Sequence, residues 1–162
     1  QVVYILIEKN TEQHLWIANV DGSGARQLLP DYVFAGHLSA SPDGDRLVVI
    51  RRVAKQGRDV PEPAIVDLRG ATPAITTLQL PPGALSPYEW TPDGQAIVYL
   101  QRHGSSDNLW LQPLQGGAAH ALTHFDDLSI SDYAYSHDGR LVVSRRARNS
   151  DVVVATGLGK SH

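Results

Sequence analysis

The chain has no cysteine and no methionine, only 2 phenylalanines and 3 tryptophans, and little net charge. Without cysteine there can be no disulfide, thiolate metal site or cysteine nucleophile, and the redox compartment stays undecided. A formal charge of −3 over 162 residues creates no global field toward nucleic acid or an anionic lipid surface. No nucleic-acid partner is therefore expected. No apolar run approaches the ~18 residues that span a bilayer, and no charged segment with an apolar stretch and cleavage site opens the chain. No membrane contact is expected within this segment. The lack of methionine suggests an excised or processed piece of a longer protein. Helix signals are also scarce. The 14 glycines and 10 prolines interrupt the chain, and no long segment keeps a 3.6-residue period with caps.

What the chain does have is repetition. Ser41-Pro42-Asp43-Gly44, Thr91-Pro92-Asp93-Gly94 and Ser136-His137-Asp138-Gly139 form one series. Each quartet precedes a β-prone run: Leu47–Ile50, Ile97–Leu100 and Leu141–Val143. The quartets need no functional reading. Proline presets φ, aspartate accepts a backbone N–H and glycine takes the positive φ. Asp43, Gly44, Asp93, Gly94, Asp138 and Gly139 are accordingly structural turn residues. Between the quartets, Leu15–Val20, Ala64–Leu68 and Leu109–Leu114 each run into a glycine-bearing turn and another short extended segment. Asp-Gly and Gly-Gly between such runs is hairpin chemistry.

A period of 40–50 residues with turn-then-strand signals predicts the blades of a β-propeller. Naming the four strands of a blade A to D, the chain reads B-C-D, A-B-C-D, A-B-C-D, A-B-C, ending with strand C at Asp151–Ala155. The expected fold is all-β: a partial propeller of about three and a half four-stranded antiparallel blades. It forms one domain over residues 1–162, with blade pieces at about 1–30, 36–80, 86–123 and 131–156. A closed ring needs roughly 4–8 blades. Exposed sheet edges and an apolar flank therefore predict association with a missing propeller half or with a second copy.

These residues resemble the TolB-like (WD-like) propeller repeat, in which a Trp-Ser-Pro-Asp-Gly turn leads into a strand and a later strand ends in Asp-Gly-Ser-Gly. The matches are Ser41–Gly44, Trp90–Gly94, Tyr135–Gly139, Asp21–Gly24 and Leu122-Thr123. Ala40 and His137 depart from the pattern. The last third, from Asn108 to Phe125 and at Ser150–Val154, is similar to the ends of propellers fused behind bacterial serine/threonine kinases and winged-helix regulators. The resemblance implies a non-catalytic module that binds or senses a protein or peptide, without cofactor. The alternatives are the gating propeller of a prolyl-oligopeptidase-like hydrolase and a periplasmic TolB-type translocation component, which binds a lipoprotein. The compartment stays open, with an extracytoplasmic location slightly ahead of the cytoplasm.

A search for chemistry finds little. His120 and His124 stand four apart, but along a strand that spans roughly 13 Å, too far for one ion. No metal site is expected, although carboxylates near a channel mouth leave Ca²⁺ as a minor reading. No Gly-x-Ser-x-Gly elbow occurs, and the Asp126-Asp127 pair is too close to flank a substrate. His37, His103 and His137 read as exposed loop or turn residues. Trp16, Trp90 and Trp110 read as packing between blades.

The variable loops say more. B–C loops open with Arg51-Arg52, Arg102 and Arg145-Arg146, whereas D–A connections carry Asp31, Tyr32, Phe34, Phe125, Asp126 and Asp127. All of these fall on the face opposite the short turns. The expectation is acidic and aromatic groups near the channel, basic groups further out, and recognition on that face. The competing reading is that the loops are charged because they are solvated.

Overall fold

The computed structural model describes residues 1–9, 11–104, 106–136 and 138–147. The expected last strand at 151–155, and His137, lie outside them. The described residues form thirteen strands: β1 (Val2–Ile7), β2 (Gln13–Ala18), β3 (Arg26–Leu28), β4 (Phe34–Ala40), β5 (Arg46–Lys55), β6 (Arg58–Asp67), β7 (Ala74–Thr77), β8 (Ala84–Trp90), β9 (Ala96–His103), β10 (Ser106–Pro113), β11 (His120–Ala121), β12 (Ser129–Tyr135) and β13 (Leu141–Arg146). Their pairing is antiparallel throughout. The blades are β1-β2-β3, β4-β5-β6-β7, β8-β9-β10-β11 and β12-β13, and one residue pair, Gln13 opposite Phe34, joins the first two sheets at their inner edge. This is the expected all-β partial propeller.

The repeated quartets build the A–B corners. In the first, Gly44 N donates to Ser41 O (2.8 Å) and Ser41 N donates to Arg46 O (2.8 Å). The Ser41 hydroxyl accepts from Arg46 N at 2.9 Å and bonds the Asp43 carboxylate, which also accepts from Asp45 N at 3.1 Å. The second corner repeats this with Thr91, Asp93, Gln95 and Ala96. The third closes one residue sooner, with Ser136 N donating to Arg140 O at 2.8 Å. Gly44, Gly94 and Gly139 hold φ of 75°, 66° and 81°, where a side chain is disfavoured. The hydroxyl at the first position is as important to the corner as the aspartate.

Each corner fixes the register of the strand that follows, and alternate residues then face opposite neighbours. Leu47 and Val49 of β5 join Ala64 and Val66 of β6 against Leu15 and Ile17 of the first blade. Val48, from the other face of β5, joins Tyr88, Trp90, Ile97 and Tyr99 of the third blade. Val98, Leu100 and Leu109 meet Ile130 and Tyr133 of the fourth. Burial of each such aliphatic or aromatic side chain contributes about 1.5–3 kcal/mol.

The inner strands are stitched by polar contacts as well. Trp90 Nε1 donates to Ser39 O at 3.2 Å, and the Ser39 hydroxyl donates to Glu89 at 2.6 Å. The Arg46 guanidinium lies 4.6 Å from the Trp90 ring centroid and donates to Gly94 O at 2.9 Å. The Tyr133 hydroxyl sits 2.6 Å from Pro87 O and 2.9 Å from Val98 O, and burial pushes its pKa up. β4 begins at Phe34, against a blade piece expected from about residue 36.

Thr91 is buried (7% exposed) within its corner. Replacement by valine keeps the shape and strips Asp93 and Ala96 N of their partner. We expect Thr91→Val to lower the unfolding free energy by about 1–3 kcal/mol, as measured by urea denaturation.

Candidate functional site

The structure corrects the loop picture on the face opposite the corners. Arg51, Arg52 and Lys55 do not open a loop. They belong to β5, which pairs with β6 over ten residues from Arg46–Asp67 to Lys55–Arg58. The intervening turn is Gln56-Gly57, with φ of 51° and 74°, the two-residue geometry that matches strand twist. Pro63 O accepts from Leu78 N on the β7 side. Because a strand residue turns its N and C=O to the same side, Pro63 and, two residues back, Pro61 aim their missing donor away from β5. That is how proline is tolerated in a strand. Arg102 likewise lies in β9, and Arg145 and Arg146 in β13. Asp31 and Tyr32 lie between β3 and β4, Phe34 begins β4, and Phe125, Asp126 and Asp127 lie between β11 and β12.

Nor are basic and aromatic groups radially separated. Arg145 stacks on Phe125, with its guanidinium carbon 3.8 Å from the ring centroid, and bonds the Asp127 carbonyl (2.8 Å) and carboxylate. Arg51 lies 5.9 Å from the Tyr32 ring centroid and donates to Glu62 (2.6 Å) and Thr77 (2.6 Å). The two arginines hold equivalent strand positions: Arg51 pairs with Phe34 and Arg145 with Ile130. In the third blade Gln101 opposite Ala84 takes that place and donates to Pro82 O at 3.1 Å. Arg102 instead pairs with buried Asp107 at 2.8 Å. Hydrogen bonds from Lys55 and Arg51 hold the Glu62 carboxyl down at about 2.

Sequence reasoning misplaced His37, which is in β4, half-buried, with Nε2 2.8 Å from Tyr88 O and 3.5 Å from the Glu89 carboxylate. Its alternation with Leu38 along a strand was the available signal. Trp90 is buried between blades as expected, and Trp110, half-buried, packs against the same cluster between the second and third blades.

Among the hollows of the described residues, two collect candidate residues of this face. One, of about 460 Å³, lies over the first two blades and brings Asp31 and Arg52 together with Glu12 and Asp59. The other, of about 510 Å³, lies on the third blade and collects Trp110, His103, His124, Phe125 and Asp126. Of the expected site residues only Asp31, Arg52, Phe125 and Asp126 line either of them; Arg51, Arg102, Arg145, Arg146, Tyr32, Phe34 and Asp127 do not. Among the described residues, no group of three or more metal-ligating side chains could hold an ion.

With this geometry, comparison with solved structures is decisive for the fold. TolB from Acinetobacter baumannii superposes with a TM-score of 0.70 at 20% identity, over 92% of this chain and 36% of that one. A TolB-designated protein from Agrobacterium tumefaciens gives 0.64 at 15% identity, over 90% and 50%. The chain has the TolB-like propeller fold. It spans about a third to a half of the length of these TolB structures. No protein-family profile matches it, and no curated protein does.

The depressed Glu62 pKa sets a test of the Arg51–Glu62–Lys55 cluster. A carboxyl near 2 in the folded chain and about 4.3 in the unfolded one stabilises the propeller above the unfolded value and loses that contribution as pH falls toward the folded one. Glu62→Gln should therefore be less stable than the parent by roughly 1–2 kcal/mol at neutral pH. The gap should narrow as pH falls below 5, as measured by thermal unfolding across pH.

Proposed function

We propose that the chain is a non-catalytic TolB-like propeller module that binds a protein or peptide through the face opposite its Asp-Gly corners. It would serve within a larger protein, of the kind found behind bacterial kinases and winged-helix regulators. The observation that carries this reading is the fixed state of that face. Arg51, Arg145 and Arg102 are held by Glu62, Asp127 and Asp107, the first two also by the Tyr32 and Phe125 rings, near hollows that collect Asp31, Arg52, Phe125 and Asp126. A surface ordered before binding loses less conformational entropy on association. Its best-held carboxylate, Glu62, is driven toward the ionised form, the direction opposite to that of a general acid. A second reading, the periplasmic TolB-type translocation component itself, is favoured by the TolB designation of two of the solved structures it resembles.

A random-peptide display selection on the purified chain tests the recognition face. Selected peptides should lose affinity in an Asp31→Ala/Arg52→Ala double variant and keep it in Asp138→Ala, which sits at a corner. Binders that respond to Asp138→Ala alone would place recognition on the other face and defeat the proposal.

Association is the further expectation for the chain alone. Val2, Leu6 and Ile7 of the first blade are 45%, 41% and 64% exposed, and Val142 of the last is 59% exposed. Sedimentation velocity at rising concentration should show reversible self-association, weakened in Leu6→Lys. A monomer at every concentration would remove it.

A further inference from the structure

The hollow on the third blade is a built feature. Asn108 of β10 spends its whole amide on the segment beside it. Its Nδ2 donates to Phe125 O at 2.9 Å, and its Oδ1 accepts from Phe125 N at 2.6 Å and from the Thr123 hydroxyl at 2.9 Å. Thr123 in turn accepts from Leu109 N at 3.0 Å. The segment carrying His124, Phe125 and Asp126 is thereby clamped to the strand that carries Trp110. Such second-layer pinning holds binding groups in one geometry.

The chemistry of the hollow has one sign. Trp110, half-buried, supplies an indole wall. Asp126 is exposed and has no hydrogen bond or ion pair with any described residue. On the floor, the side-chain oxygen of Gln101 is shielded from solvent and accepts no hydrogen bond from any described residue, while the amide nitrogen is engaged with Pro82 O. His103 and His124 stand exposed at the rim, and a neutral imidazole offers one acceptor nitrogen. The cations close by are committed elsewhere: Arg145 to Asp127 and the Phe125 ring, Arg102 to Asp107. A π face, a carboxylate without a counter-ion and spare acceptor capacity call for a planar cation that only donates. A guanidinium meets that description: it stacks on indole and presents its N–H groups edge-on to a carboxylate.

The geometry points to an arginine-recognition site in this hollow, in which an arginine side chain of a bound peptide lies against Trp110 with its guanidinium toward Asp126. The inference rests on the peptide-binding reading above and names the residue type read at this position. Asp126 and Trp110 are the discriminating side chains. Asn108 acts through the segment it holds.

The test uses ¹⁵N-labelled chain titrated with acetyl-Gly-Arg-Gly-amide and, separately, with the citrulline tripeptide, which has the same shape without the charge. The arginine peptide should move the Trp110 indole signal and the amides of His124 to Asp126 saturably. Citrulline and Asp126→Asn should each weaken binding by about threefold to tenfold, the range of an exposed ion pair with a stacked cation. Asp126 is exposed, so this variant leaves the fold intact. No saturable shift, equal binding of citrulline, or binding of methyl glucoside in preference to arginine would overturn the inference. A chain that selects peptides in the display experiment yet ignores this tripeptide overturns it while leaving the broader reading standing.

Discussion

The hydroxyl at the start of each Asp-Gly corner is the contact on which the rest of the propeller depends. Ser41, Thr91 and Ser136 each accept the first amide of the outgoing strand and bond the corner aspartate. The glycine, at positive φ, turns the chain. The register of strand B is thereby set before any side chain packs. A slip of one residue would send Val48 to the first blade and Leu47 and Val49 to the third, exchanging every interface at once. The hydroxyl and amide hydrogen bonds that serve this purpose hold the Asp43 and Asp93 carboxyls below their usual range. Those aspartates are therefore committed to architecture.

Register alone would give flat, separable sheets. The inner strands prevent this by departing from regular pairing in the second, third and fourth blades, between Phe34 and Leu38, between Leu85 and Glu89, and between Ile130 and Asp132. Irregularities of this kind re-aim side chains. They accompany the turning of His37 onto Tyr88 O and the placing of the Tyr133 hydroxyl against Pro87 O. The blades are thus held by apolar burial through their middles and by main-chain acceptors at their inner edge. A buried carbonyl satisfied by a neighbouring blade ties the two together, because separating them would leave it without a partner.

The fold was legible in the sequence because its signals are local. Proline, aspartate and glycine at fixed offsets report backbone conformation directly, and Leu47–Ile50 or Ile97–Leu100 follow at once. The long β5–β6 hairpin was not legible, for equally local reasons. Its turn is Gln-Gly rather than Asn-Gly, and its outer half is charged. It also carries Pro61 and Pro63, which the strand accepts only because their missing donor faces away from β5. The candidate face was half legible. Residue types pointed to a charged, aromatic surface, and Asp31 and Arg52 line one hollow. The stacking of Arg145 on Phe125 and of Arg51 on Tyr32 depends on strand B and the preceding connection meeting across blades, which no sequence window contains.

That cross-blade meeting also bears on what the face is suited to. Arg145, held by the Phe125 ring and Asp127 of one connection, and Arg51, between the Tyr32 ring and Glu62, have their charge neutralised and their position fixed, so they contribute shape and limited electrostatic steering. Where the pattern breaks, at the third blade, Gln101 replaces the arginine and donates to Pro82 O of the preceding connection, while Asp126, in the following connection, lines the same hollow as Gln101 and has no cation among the described residues. A repeat architecture makes such an exception informative. With no arginine at position 101, the hollow that Gln101 shares with Trp110 and Asp126 keeps an indole wall and a carboxylate open to a cation from outside the chain.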